Sequence, residues 1–147
     1  MEILASELRI GNWFQQDASN NNTISRFFTV DEIKRYGVRS TYIRQDTNQP
    51  HTSLFSLDSI HPIPLTPEIL EKCGFTLNHV DQLAIVLNSM DRHLELNAEV
   101  NGNYFFSINQ MGEFGDSSNV TLNYIQHLHQ LQNLYFALTN TELNYTP

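Results

Sequence analysis

Six histidines, five scattered basic residues and a pair of glutamates are the side chains of this 147-residue sequence whose chemistry invites attention. A metal centre would need histidines that converge. His127 and His129 are two apart, which on a helix sets them about 200° apart, so they cannot share an ion there. His51, His61, His79 and His93 have no partner at i+3 or i+4 that would complete a recognisable ligand set. The expectation is therefore no metal and no cofactor. Glu95 and Glu99 fall on one face of a strand, where a carboxylate pair is possible but the solvated side of a strand is the plainer account. There is no G-x-S-x-G elbow, and Gly112-Glu113-Phe114-Gly115 is too short for a phosphate loop and lacks the Lys-Ser/Thr that should follow one. No catalytic residue emerges, and nothing in the sequence demands an enzyme.

The basic residues have a second use. Arg26, Lys34, Arg35, Arg39 and Arg44 form the chain's only local basic excess, with Tyr36 and Tyr42 between them. Cations for phosphates and aromatic rings for bases are what a small nucleic-acid-binding barrel presents. The same seven residues suit a protein-binding face, or a solvated face paired locally with Asp31, Glu32 and Asp46. Charge weighs against nucleic acid. The formal net charge is −8. Up to Lys72 there are seven Lys or Arg against nine Asp or Glu, and after it Arg92 alone faces seven acids. A surface of that sign repels a polyanion. The reading that follows is a non-enzymatic protein that binds another protein, with a nucleic-acid-associated module built on the Arg26 to Arg44 stretch as the alternative.

Positioning any such surface falls to a chain long enough to bury about 70% of its extended surface in a core without staples. A single cysteine excludes a disulfide framework, and Cys73 reads as a small buried hydrophobe. The opening MEILASELRIGNWF has no basic n-region, and no segment nears the roughly 20 apolar residues of a membrane span. No membrane association is expected, and a cytoplasmic protein is.

The elements read as α+β. Ile10–Phe14, Ile24–Val30, Thr41–Arg44 and Leu54–Ile60 have strand character, Gln15–Thr23 is a polar loop, Asp31–Tyr36 is a helical turn or a strand, and Gly37 breaks it. Short strands without a long helix predict a small SH3-like β-barrel or a curled sheet for residues 1–64. After His61-Pro62-Ile63-Pro64, Thr66 and Pro67 start a helix that ends at Gly74, with Glu68 in its first turn. This connector is the best domain boundary, with residues 65–147 forming the second unit, whether or not the two pack as a single domain.

In that second unit, Leu83–Leu87 is apolar throughout, as in a strand covered on both faces. Leu94, Leu96, Ala98 and Val100 alternate with Glu95, Asn97 and Glu99 as in a half-exposed strand. Asn101-Gly102 predicts a two-residue hairpin pairing Val100 with Asn103, Glu99 with Tyr104 and Ala98 with Phe105. Gly112–Asn119 is a loop and Val120–Leu122 a short strand. Tyr124–Leu138, YIQHLHQLQNLYFAL, carries the longest helical apolar period and no charge at all. Asn123 with Gln126 can cap its start and Asn140 can end it in the left-handed conformation. It is expected to pack across an antiparallel sheet.

ELRIGNW, PIPLTPEILEKCGF and LHQLQNLYFALT, in that order, resemble blocks of a family of small bacterial and phage-associated proteins. The blocks span the chain, and the last is the most specific. The resemblance places a glycine after ALT, where this chain has Asn140. It implies a prophage or mobile-element setting and carries over no catalytic residue.

Overall fold

A computed structural model of the chain describes residues 5–16, 26–44, 47–78, 82–87, 93–100, 104–111, 117–122 and 125–147. The chain forms two compact units: Met1–Pro64 with His127–Asn133, and Leu65–Gln126 with Leu134–Pro147. The protein is α+β, with three antiparallel sheets and one main helix, α2, at Leu128–Thr139 among the described residues. The helix is thus divided between the units at Asn133.

The first unit begins with a 3-10 turn at Ala5–Glu7, followed by β1 (Trp13–Gln16), β2 (Arg26–Thr29), β3 (Glu32–Lys34), β4 (Gly37–Ile43), β5 (Pro50–Ser56) and β6 (Ile60–His61). Two three-stranded sheets result, β2-β1-β6 and β3-β4-β5, which do not close into a barrel; a curled pair of sheets is the better description. Alternation along the strands puts Phe14, Phe28, Val38 and Phe55 into one core with Leu8, Val30 and Ile60. Phe28 lies 5.7 Å from Phe14, 4.8 Å from Phe55 and 4.9 Å from Tyr42, ring centroid to centroid. Such aromatic contacts add to what area burial alone supplies.

Several boundaries differ from those the sequence predicts. The first strand starts at Trp13, because Gly11, at a φ of 89°, turns the chain so that its amide donates to the Val30 carbonyl. Asp31–Tyr36 resolves as the strand β3 and a two-residue turn. Gly37 opens β4 instead of breaking the chain, since a Cβ there would overlap the Phe55 carbonyl oxygen. Leu54–Ile60 divides into the end of β5, a 3-10 turn at Leu57–Ser59 and the start of β6.

The second unit starts with α1, Pro67–Lys72. Thr66 Oγ1 accepts from the Ile69 amide, Pro67 occupies the first turn, and Gly74 takes a φ of 93° just after the end. The sheet is an antiparallel meander in the order β11-β10-β9-β8-β7, with β7 at Thr76–Leu77, β8 at Leu83–Leu87, β9 at His93–Val100, β10 at Tyr104–Met111 and β11 at Ser117–Thr121. On one face of β8 Ala84 is buried but Val86 is half exposed, so that face is covered only in part; the outer neighbour β7 is two residues long. Part of the predicted Gly112–Asn119 loop, from Ser117, belongs to β11.

The β9–β10 register is one residue away from the prediction: Tyr104 pairs with Val100, Phe105 with Glu99 and Phe106 with Ala98. Residues 101–103 join the strands and lie outside the described residues, so the predicted turn does too. The physical reason for the shift is the pleat. A two-residue connection would oppose Ala98 to Phe105 and set the apolar positions of the two strands on opposite faces. The observed pairing opposes buried Ala98 to buried Phe106, and buried Leu96 to Ile108.

The helix α2 also starts later than its apolar period suggests, at Leu128 instead of Tyr124. Asn123, the predicted cap, lies outside the described residues. Pro64 and His127 form an isolated antiparallel bridge, and the Leu128 amide donates to the Ile63 carbonyl, which holds the chain extended up to His127. Gln130 Oε1 then accepts from the His127 amide at 3.2 Å, the backward half of a capping box placed four residues later than predicted. At the other end Asn140 has a φ of 55° and its amide donates to Phe136, the left-handed ending expected of that residue.

Candidate functional site

The seven residues proposed as a binding surface do not converge on one face. On β3 and β4, Glu32 pairs in register with Arg39, and its carboxylate takes both Lys34 Nζ and, at 2.9 Å, Arg39 Nη1. The hydrogen bond from Lys34 and the charge of Arg39 hold the Glu32 carboxyl below the usual carboxylate range. Arg35 and Tyr36 occupy the turn that follows, with the guanidinium 5.0 Å above the ring. Alternation turns Tyr42 to the face opposite Arg39. Its ring packs edge-on to Phe28 and His51, and its hydroxyl lies 3.4 Å from Ser53 Oγ. Arg26 stands at the start of β2, in the other sheet, and Arg44 just past β4, its amide bonded to the Gln49 carbonyl. Asp31 Oδ2 accepts from the Thr41 amide at 2.5 Å, while Asp46 lies outside the described residues.

The outer face of β3-β4-β5 is mixed in chemistry. Leu54, 65% exposed, pairs with Arg39, and Ile43, 58% exposed, pairs with Pro50; between them Thr41 and Thr52 bring their hydroxyls to 3.0 Å. An ion triad, two hydroxyls and two large aliphatic side chains therefore share one sheet surface.

A second arrangement, which the spacing did not suggest, joins the start of α2 to the N-terminal segment within the first unit. Gln132, 1% exposed, accepts from the Trp13 amide at 3.0 Å and donates from Nε2 to the Gly11 carbonyl at 3.3 Å. Asn133 Nδ2 donates to the Glu7 carbonyl at 2.7 Å, and Asn133 Oδ1 accepts from Asn12 Nδ2 at 3.0 Å and from Arg9 Nη1 at 3.4 Å. Asn12 Oδ1 in turn accepts from the Arg9 amide at 2.6 Å. The buried polar groups Asn12 and Gln132 are thereby satisfied.

His127 and His129 meet in this region. Because His127 precedes the helix, the 200° separation does not apply, and the two rings stack with centroids 5.9 Å apart and planes 21° apart. His129 is 2% exposed, and neither Nδ1 nor Nε2 has a hydrogen-bond partner among the described residues. Burial, followed by the neighbouring His127, pushes its pKa down to about 4, against a smaller opposing pull from Glu7. Burial also lowers that of His127. Among the described residues, no group of three or more His, Cys, Asp or Glu side chains is placed to hold a metal ion.

The chain matches no protein-family model, no curated protein and no solved structure.

Two of the three sequence blocks are therefore explained by geometry. ELRIGNW and LHQLQNLYFALT, which coincides with α2, are the two sides of the amide clasp. The signal in the sequence was a helix whose polar positions are amides and imidazoles instead of charges, because a buried amide can both donate and accept where a buried charge would need a counter-ion. Cys73 is buried, and desolvation pushes its thiol up to about 12. Among the described residues, no helix is long and apolar enough to cross a membrane.

Proposed function

We propose that this chain is a non-enzymatic, cytoplasmic accessory protein of a prophage or mobile element, and that it docks a protein partner on the outer face of β3-β4-β5. The observation that carries the reading is the exposure of Leu54 and Ile43 on one side of a sheet whose other side lines the core. Large aliphatic side chains left in water on a mixed polar face are what a partner surface covers. The Glu32, Lys34 and Arg39 triad supports a protein partner over nucleic acid, since two of the five cations of the basic stretch already share a carboxylate. Tyr42, half-buried with its ring packed against Phe28, is engaged with the core and is not a free stacking platform. The mobile-element setting rests on the resemblance of the three sequence blocks.

The test compares wild type with an Ile43→Asp/Leu54→Asp variant in affinity capture from a host cell extract, together with direct titration against single-stranded and duplex DNA and RNA. A defined protein that wild type retains and the variant loses, at equal melting temperature, is the expected result. Equal retention by both would remove the docking face. Nucleic-acid affinity tighter than about 1 μM at near-physiological salt, falling with added salt and weakened in Arg35→Ala/Arg39→Ala by about one unit of slope per lost phosphate contact, would replace this reading with the alternative.

A further inference from the structure

The buried imidazole of His129 has no part in a docking face on β3-β4-β5, and most of its surroundings disfavour a cation. It lies in the first turn of α2, where the partial positive charge of the helix end opposes protonation. It stacks on a second imidazole, and neither ring nitrogen has a partner among the described residues. Three residues further on, Gln132 and Asn133 carry the hydrogen bonds that tie the helix to residues 7–13. These are polar bonds that water can replace, whereas the burial of Leu128 and Leu131 on the same segment has no such substitute.

We infer that the start of α2 is an acid-released latch: a proton on His129 cannot be accommodated in the closed clasp, and its uptake loosens residues 7–13 from Gln132 and Asn133 while the sheets stay folded and Leu128 and Leu131 stay buried. The charged and titratable groups that bear on the ring are few. His127, on the same segment, disfavours the cation; the charge of Glu7, on the 3-10 turn, favours it by a smaller amount. Arg9 is held on Asn133 and adds positive charge to the clasp. The direction follows from linkage. The closed state keeps His129 neutral down to about pH 4, whereas a released imidazole takes its proton near the ordinary histidine value of 6.5. Closure is therefore complete above the released value and is lost as pH falls from there towards the closed one. Each pH unit in that window favours release by up to about tenfold, or roughly 300-fold in all.

Trp13, the only tryptophan, reports on the latch because its amide is bonded to Gln132. Acrylamide quenching of Trp13 should rise as pH falls from 6.5 towards 4 while the far-ultraviolet circular dichroism of the sheets is retained. The rise should vanish in His129→Phe, which leaves Glu7 and every other carboxylate in place, and persist in His127→Gln. Quenching that stays flat to pH 4 in wild type, or that rises equally in His129→Phe, overturns the proposal. Should His129→Phe fail to fold, nuclear magnetic resonance titration of the wild-type ring decides instead. A depressed His129 midpoint with Trp13 amide exchange following it supports the latch, and a midpoint at the ordinary histidine value removes it.

Discussion

Asn133 donates to the backbone carbonyl of Glu7 across 126 positions of sequence, at 2.7 Å, and with its other amide atom accepts from Asn12. One side chain thus satisfies a carbonyl and an amide on a segment that has no regular secondary structure of its own between Glu7 and Trp13 beyond a turn. Removing it strands both.

Asn133→Ala is accordingly expected to destabilise the protein by about 1 to 3 kcal/mol, the cost of leaving polar groups unpaired in a partly buried site. Urea denaturation of wild type, Asn133→Ala, Asn12→Ala and the double variant would measure it. A coupling energy of about 0.5 kcal/mol or more should appear in the cycle, since the two side chains share one hydrogen bond. Strict additivity would mean that the bond between Asn12 and Asn133 adds nothing to stability.

Gly37→Ala tests the close approach of β4 to β5. The φ of Gly37 is not among the positive ones, so conformational freedom is not the issue; the added methyl would meet the Phe55 carbonyl oxygen of the paired strand. Backbone cannot swing aside as a flexible side chain would. A cost of about 1 to 3 kcal/mol is expected, in line with overpacking elsewhere. A melting temperature equal to wild type would show that the strands separate at that point at no cost.

Leu131 is fully buried in α2. Its replacement by alanine should cost about 2 to 5 kcal/mol through lost burial and the cavity left behind. An unchanged denaturation midpoint would remove the helix from the folding core.

For Cys73, burial both hides the thiol and holds its proton. Native protein should react with a thiol-specific reagent at pH 8 only as fast as it opens, and unfolded protein at the rate of a free thiol. The linkage runs in the alkaline direction. The folded pKa is raised, so the contribution of this thiol to stability is present below the ordinary thiol value of 9.0 and is lost as pH rises towards about 12. Immediate native-state labelling would contradict the burial of the side chain.

What could be read from residues alone was local. Thr66, Pro67 and Gly74 bound α1 because a capping hydroxyl, a locked φ and a left-handed glycine act within a few residues of themselves, and Asn140 ends α2 for the same reason. The alternation of β9 and the helical period of α2 gave the α+β class, since each depends on how side chains repeat along the chain. The same alternation already contained the β9–β10 register, but the Asn101-Gly102 turn signal points one residue away from it, and only the pairing of Ala98 with Phe106 decides between them. The start of α2 was not legible at all: the apolar period runs on to Tyr124, and it is the bridge from Pro64 to His127 that keeps the chain extended. Because of that bridge His127 lies outside the helix and stacks on His129, which converts two histidines that helical geometry holds apart into a stacked pair, one of them buried. The amide clasp likewise depends on partners more than a hundred residues distant, which no local propensity encodes. Short-range preferences set the ends of elements, and long-range hydrogen bonds set which side chains meet.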